Sequence, residues 1–247
     1  MIFHRYGHLM KFRQVKKMSD ELDGEKLKEI LSELKKERPV FDSEDDFKFS
    51  LAWKIKEEYD KNIDIRLEKN FIIVNENGKE ENYRIDIFIR QWKIGIELKY
   101  YTAECDYESD DERIKLKNQF AYDHKCYDAW KDIQRLETFI KKGFIKKGFA
   151  IWLTNMGALT KSCEDFKKDE SPGYSEFRIC NGRESDYVMN WKEGLSEGTT
   201  KGRREPIKLK EKYKVNWNDY SDVSKDKDCN KKGIFKYALI EVRDKGV

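Results

Sequence analysis

The sequence predicts an α/β fold: a mixed β-sheet flanked by helices, with peripheral elements towards the C-terminus. Three observations carry this. Residues 20–59 contain two stretches with apolar side chains at helical spacing. Residues 63–100 contain four short stretches of strand type, and residues 122–153 a long helical pattern followed by a buried-type strand. A chain of 247 residues is long enough for one well-buried domain, or for a core with a large insertion.

In chain order, residues 1–17 carry Arg5, Lys11, Arg13, Lys16 and Lys17 without an acid and show no amphipathic period. They are read as a flexible basic extension, with Met18-Ser19-Asp20 as a second possible start. Leu22, Leu27, Ile30, Leu31 and Leu34 mark an amphipathic helix over 20–37, ended by Pro39. Ser43 is the expected N-cap of a second helix, with an acidic first turn and the stripe Phe47, Leu51, Ile55, Tyr59. Strict alternation at 63–68 signals a strand, and 71–74 is a second apolar run closed by the turn residues 75–78. Strands are expected at 83–90 and 93–100. An acidic loop at 104–112 follows, then a helix at 122–142 stopped by Gly143, and a strand at 149–153. Beyond Asn155 the pattern supports a short helical stretch at 159–166, a strand at 175–180, a loop at 194–202 and a closing strand at 235–242.

Composition removes several function classes. Charged residues make up 40% of the chain, against about 25% in a typical globular protein, while 13% aromatics argue against disorder. The 51 Lys and Arg nearly balance the 48 Asp and Glu, for a net charge of +3. A second basic segment at 201–214, followed by Trp217 and Tyr220, is a candidate phosphate-contacting element, although for either basic segment alone a solvated lysine-rich surface is the plainer explanation. The longest apolar runs, 71–74 and 149–153, are far short of the roughly 20 residues that span a bilayer. Nothing in 1–17 resembles a signal peptide, so no membrane partner is expected. The five cysteines contain no C-x-x-C pair, and their number is odd. A zinc ribbon or disulfide framework is therefore not expected, and a reducing, cytoplasmic location fits best. Of three histidines only His124 lies outside the N-terminal extension, which disfavours histidine-based catalysis.

The chemistry concentrates in Tyr83–Tyr100. Alternation places Ile85, Ile87 and Ile89 on one face and Asp86 on the other. On the next strand Ile94, Ile96 and Leu98 share a face, opposite Glu97 and Lys99. Whether the hairpin loop has two residues, Gln91-Trp92, or four, Asp86 falls directly across from Glu97. Opposed residues have Cβ atoms about 5 Å apart. Two carboxylates so close repel unless a cation lies between them, and such oxygen ligands suit Mg²⁺ or Mn²⁺. Lys99 then lies within reach of a water or of charge on a phosphoryl transition state, which is the equipment of phosphodiester hydrolysis. A solvent-facing charged hairpin is the plain alternative.

The order Asp86-x10-Glu97-x-Lys99, with an acidic helix start upstream and a helix-strand unit downstream, resembles the PD-(D/E)xK nuclease superfamily. The resemblance covers about 39–155 and implies a restriction-endonuclease-like core within a single domain over 18–247, with a C-terminal elaboration over 156–247. Ile85 stands where the motif's proline often stands. By position, Asp86, Glu97 and the Leu98 carbonyl match the metal ligands, Lys99 the catalytic lysine and Glu44 the acid of the first core helix. Glu44 is also explained as a first-turn acid on the helix dipole. Asp132 or Gln134 can supply a supporting polar group, although a solvated helix face explains them more simply. Tyr100 can pack beside the site or stack on a base, with core or hairpin packing the simpler explanation, and Trp152 reads as core. The resemblance implies a Mg²⁺- or Mn²⁺-dependent nuclease, with DNA as first-choice substrate, a role against foreign DNA, and room for a homodimer. Two readings stand beside it: a non-catalytic binding or assembly module on the same fold, and an RNA-directed nuclease.

Overall fold

The computed structural model describes residues 21–59, 63–74, 77–109, 112–166, 173–225 and 229–244. The basic extension at 1–17, Asp20, and the turn residues Asn75 and Glu76 lie outside them. The elements are α1 (Gly24–Glu37), α2 (Glu44–Glu58), β1 (Ile65–Val74), β2 (Glu80–Ile89), β3 (Ile94–Tyr101), β4 (Cys105–Glu108), β5 (Arg113–Leu116), α3 (Tyr122–Lys141), β6 (Lys147–Thr154), the single turn α4 (Gly157–Thr160), β7 (Val188–Met189), the single turn α5 (Glu197–Thr200), β8 (Ile207–Lys208), β9 (Trp217–Asp222) and β10 (Ile234–Arg243). Six strands form one mixed sheet in the order β1-β2-β3-β6-β10-β9. β3 and β6 are parallel and the other neighbours antiparallel.

The sheet separates two apolar layers. On one face α1 and α2 pack Leu27, Leu31, Phe47, Leu51 and Ile55 against Ile87, Ile94, Ile96, Leu98 and Ile151. On the other, α3 packs Trp130, Ile133 and Leu136 against Ile85, Trp152 and Ile240. The outer flank of α3 is covered by the chain between Phe177 and Val215, so that no residue from Tyr122 to Ile140 is fully exposed. The C-terminal part is thus only partly peripheral, because β9 and β10 extend the main sheet.

Several local signals act as expected. Ser43 caps α2, its hydroxyl accepting from the Asp46 amide at 3.1 Å, and Gly143 closes α3 at φ 74°. α1 begins later than its apolar pattern, because Asp23 caps it by accepting from the Lys26 amide at 2.8 Å. The runs at 63–68 and 71–74 join into one strand, with Glu68 at φ 53°. The acidic stretch forms the β4–β5 hairpin, where Arg113 pairs with Asp106 at 2.6 Å; Asp110 and Asp111 lie outside the described residues. The expected strand at 175–180 is a 3₁₀ turn, Ser175–Phe177, whose Phe177 is buried under α3.

The cysteine expectation is overturned. Cys105 is bonded to Cys229 and Cys163 to Cys180, leaving Cys126 free. An odd count hid two pairs that only tertiary folding brings together. Burial pushes the Cys126 thiol up to about 12, which leaves it unreactive in the folded chain. Denatured without reductant, the protein should show one titratable thiol, rising to five after reduction. Reduction should cost about 3–5 kcal/mol per bridge by loop entropy, read as a lower midpoint in denaturant. Five thiols before reduction would mean that the pairs do not form.

Candidate functional site

The site lies where β2 and β3 part. Their ladder runs only from Ile89↔Ile94 to Ile87↔Ile96, the expected register, through a loop in which Lys93 takes φ 51°. Gly95 leaves room for the Ile85 side chain to pack over β3, since a Cβ would meet Ile85 Cδ1 at 2.1 Å. Beyond Ile96 the strands diverge, although β3 stays paired with β6 as far as Tyr101↔Thr154. The same place disturbs β1–β2, where Glu68 and Asp86 drop out of the pairing between Leu67↔Ile87 and Lys69↔Ile85. This irregularity at Glu68 and Asp86 corrects the expected shared face: Ile87 and Ile89 join the α1–α2 layer, while Ile85 joins the α3 layer.

Side-chain carboxylates replace the missing strand. Asp86 Oδ2 accepts from the Leu98 amide at 2.8 Å, and Glu44 Oε2 accepts from the Tyr100 amide at 2.9 Å. The first residue of α2 reaches β3 because Phe41 and Phe47 pack on Tyr100, with ring centroids 6.1 and 6.4 Å away. Tyr100 is therefore a packing residue, 2% exposed. One turn along α2, Lys48 pairs with Glu68 and with Asp45, and its ammonium lies 3.8 Å from Asp86 Oδ1.

Glu97 and Lys99 project to the α3 side, as alternation requires. Both Glu97 oxygens accept from Arg135, Oε1 from Nε at 2.9 Å and Oε2 from Nη2 at 2.7 Å. Arg135 Nη2 also donates to Asp132 Oδ1 at 2.7 Å. Lys99 Nζ lies 2.7 Å from Asp132 Oδ2 and donates to the Leu98 carbonyl at 3.0 Å. The Glu97 and Asp132 side chains are 2% and 5% exposed; those of Asp86, Lys99 and Arg135 are 18%, 18% and 24% exposed and form the open side.

Burial sets the electrostatics. It raises the carboxyls of Glu44, Asp86 and, most strongly, Glu97 above their ordinary range, against the pull of Lys99 or Arg135. Burial also opposes the Lys99 ammonium, but Asp132, Glu44 and Asp86 outweigh it and hold that amine above its usual value. At Lys48 burial is likewise outweighed, by Asp45, Glu68 and Asp86, which push the amine up to about 12.

All four expected residues thus gather along β3: Glu97 and Lys99 are joined through Arg135 and Asp132, while Asp86 and Glu44 bind the Leu98 and Tyr100 amides of the same strand. Asp132 joins them, 3% exposed rather than on a solvated helix face. Gln134 does not; its amide donates to the Lys208 carbonyl at 3.0 Å. His124 lies elsewhere, with Nε2 2.8 Å from the Thr199 carbonyl. Trp217 and Tyr220 are buried and donate to the Ile179 and Arg38 carbonyls, which removes them as stacking residues for a nucleic acid. The 201–214 segment runs beside α3: Glu137 accepts from the Lys210 amide at 2.9 Å, and Arg203 pairs with Asp128 at 2.7 Å. Lys208, Lys210, Lys212 and Lys214 remain exposed. Sequence reasoning missed Lys48 and Arg135. Each had a signal, Lys48 four residues after Glu44 beside an apolar stripe, and Arg135 three residues after Asp132.

The three groups expected to hold a metal are all oxygen donors, the kind that Mg²⁺ or Mn²⁺ takes. Each also faces a cationic nitrogen: Glu97 faces Arg135, the Leu98 carbonyl faces Lys99, and Asp86 faces Lys48. The donor set suits a hard cation in its chemistry, and the three nitrogens now supply the positive charge that such a cation would bring. Among the described residues no group of three or more His, Cys, Asp or Glu side chains is arranged to hold a metal ion, and Glu97 has both oxygens engaged by Arg135. Among the same residues no helix is long and apolar enough to cross a membrane. Comparisons with protein-family models, curated proteins and solved structures gave no match.

Proposed function

We propose that the chain is a divalent-cation-dependent nuclease that hydrolyses phosphodiester bonds, with DNA as the favoured substrate, on a restriction-endonuclease-like core of α2, β1–β3, α3 and β6. One observation carries the reading. At the parting of β2 and β3, Asp86 and Glu44 accept from successive outward amides of β3, and Glu97 and Lys99 of the same strand meet Asp132 and Arg135. A structural hairpin has no need to desolvate four carboxylates beside one another.

Asp86, Glu97 and the Leu98 carbonyl would hold Mg²⁺ or Mn²⁺, which when bound supplies Lewis acidity towards a phosphoryl oxygen and a more acidic water. Lys99 acts as a fixed cation rather than a proton acceptor, because its neighbours keep it an ammonium. It orients the attacking water and offsets the negative charge on the phosphoryl oxygens in the transition state. Asp132 positions that amine at 2.7 Å. The exposed lysines of 201–214 would follow a phosphate backbone. A homodimer would bring two such sites to a duplex, and action against foreign DNA would place the protein in the cytoplasm. The Cys105–Cys229 bridge, with both cysteines 1% exposed, would there be shielded from thiol exchange.

The test is incubation of the full chain with labelled single- and double-stranded DNA and RNA in Mg²⁺ or Mn²⁺, beside Glu97→Ala and Lys99→Ala. Cation-dependent cutting that both variants lose is the expected result, and cutting confined to RNA would move the substrate assignment. No cutting, or cutting that both variants retain, ends the proposal. The saturation of Glu97 by Arg135 favours a second reading, a non-catalytic module that keeps the sheet. Calorimetric Mn²⁺ titration separates the two, since a module should show no site that depends on Asp86 and Glu97.

A further inference from the structure

We propose that Arg135 is the resident counter-ion of this site, exchanging with a divalent cation for Glu97 and then using the freed guanidinium edge to take a phosphodiester oxygen of the substrate. The inference rests on the nuclease reading and adds to it a residue that no sequence motif supplied.

Glu97 is 1% exposed, and its hydrogen-bonded counter-charge is Arg135. The pair is bidentate, using Nε and Nη2, two nitrogens on one edge of the guanidinium. A cation that binds Glu97 must approach the same two oxygens, where a guanidinium at 2.7–2.9 Å would repel it. Occupancy by one therefore weakens the other.

The two partners differ in freedom. The Glu97 side chain is 2% exposed on a strand paired along its length to β6, whereas Arg135 is 24% exposed on the open side of the site. Arg135 is the member that can swing. Its Nη2 keeps a second acceptor, Asp132 Oδ1 at 2.7 Å, which tethers the group beside Lys99 after it leaves Glu97. The released Nε–Nη2 edge is the fork that matches carboxylate and phosphate oxygens alike. A phosphodiester then replaces Glu97 as its anion, and cation and phosphate should strengthen one another's binding by the same factor.

The experiment uses the full chain as wild type, Arg135→Gln and Arg135→Lys. Mn²⁺ binding is read by calorimetry. Binding of a fluorescent oligonucleotide is read by anisotropy with Ca²⁺ or with chelator. The proposal expects Mn²⁺ to bind Arg135→Gln about tenfold more tightly than wild type, with Arg135→Lys between them. It also expects the gain in oligonucleotide affinity that Ca²⁺ gives wild type to vanish in Arg135→Gln. If Arg135→Gln is unfolded in chelator, Mn²⁺ should restore its circular dichroism, and failure to restore it overturns the proposal. Equal or weaker Mn²⁺ binding in Arg135→Gln, beside a wild-type site that depends on Asp86 and Glu97, overturns this proposal alone. No Mn²⁺ site in any of the proteins overturns the nuclease reading with it.

Discussion

Replacing Asp86 with Asn should lower cation-dependent cleavage about 10²–10³-fold, the cost of removing one electrostatic group from a transition state, while the protein stays folded. The amide oxygen of Asn can still accept from the Leu98 amide, which Asp86 meets at 2.8 Å, so the opened edge of β3 stays satisfied. Lys48 keeps Asp45 and Glu68 and is not stranded. What disappears is a negative charge on the open side of the site. Single-turnover cleavage read beside a thermal melt separates this from unfolding; full activity, or a collapse of the melt, would count against the assignment. The pH dependence has a definite sign. Glu44, Asp86 and Glu97 hold their protons more tightly folded than unfolded, so ionising them costs stability as pH rises through their folded values, a cost absent below the unfolded values. A bound cation offsets that cost. Cation-induced stabilisation should therefore grow with rising pH, and cleavage should fall off on the acid side at a higher pH than ordinary carboxylates would give.

Trp130→Ala should cost about 3–5 kcal/mol, a fall in melting temperature on the order of 10 °C for a chain of this size. Trp130 is fully buried on α3, with its ring 5.7 Å from that of Trp152. Its indole N–H donates to the Phe177 carbonyl at 2.9 Å. The substitution opens a large cavity and strands that carbonyl in the layer outside α3. Because α3 also carries Asp132 and Arg135, cleavage should weaken together with stability. Denaturant unfolding followed by circular dichroism measures it, and a loss below about 1 kcal/mol would place Trp130 outside the core that this packing describes.

The parts of the fold written in short-range chemistry were legible in the sequence. The Ser43 cap, the stop at Gly143 and the register that pairs Ile87 with Ile96 each depend on a few neighbouring residues, whereas the pairing of Asp86 with Glu97 expected one step further is lost where the strands part. What was not legible needed partners far along the chain. β9 is a strand because β10 pairs with it. The bond between Cys105 and Cys229 spans 124 residues. Phe177 is buried because α3 lies over it, not because its segment alternates. The site divides the same way: alternation on β3 placed Glu97 and Lys99 together, while the burial of Asp132 and Arg135 depended on how α3 sits on the sheet.

The bond from Cys105 in β4 to Cys229, five residues ahead of the last strand, also makes the intervening chain a closed covalent ring. A single proteolytic nick anywhere between positions 105 and 229 would yield two polypeptides that still migrate as one species until a reductant is added. The strand carrying Glu97 and Lys99 and the strand completing the sheet would remain fastened to one body through such damage.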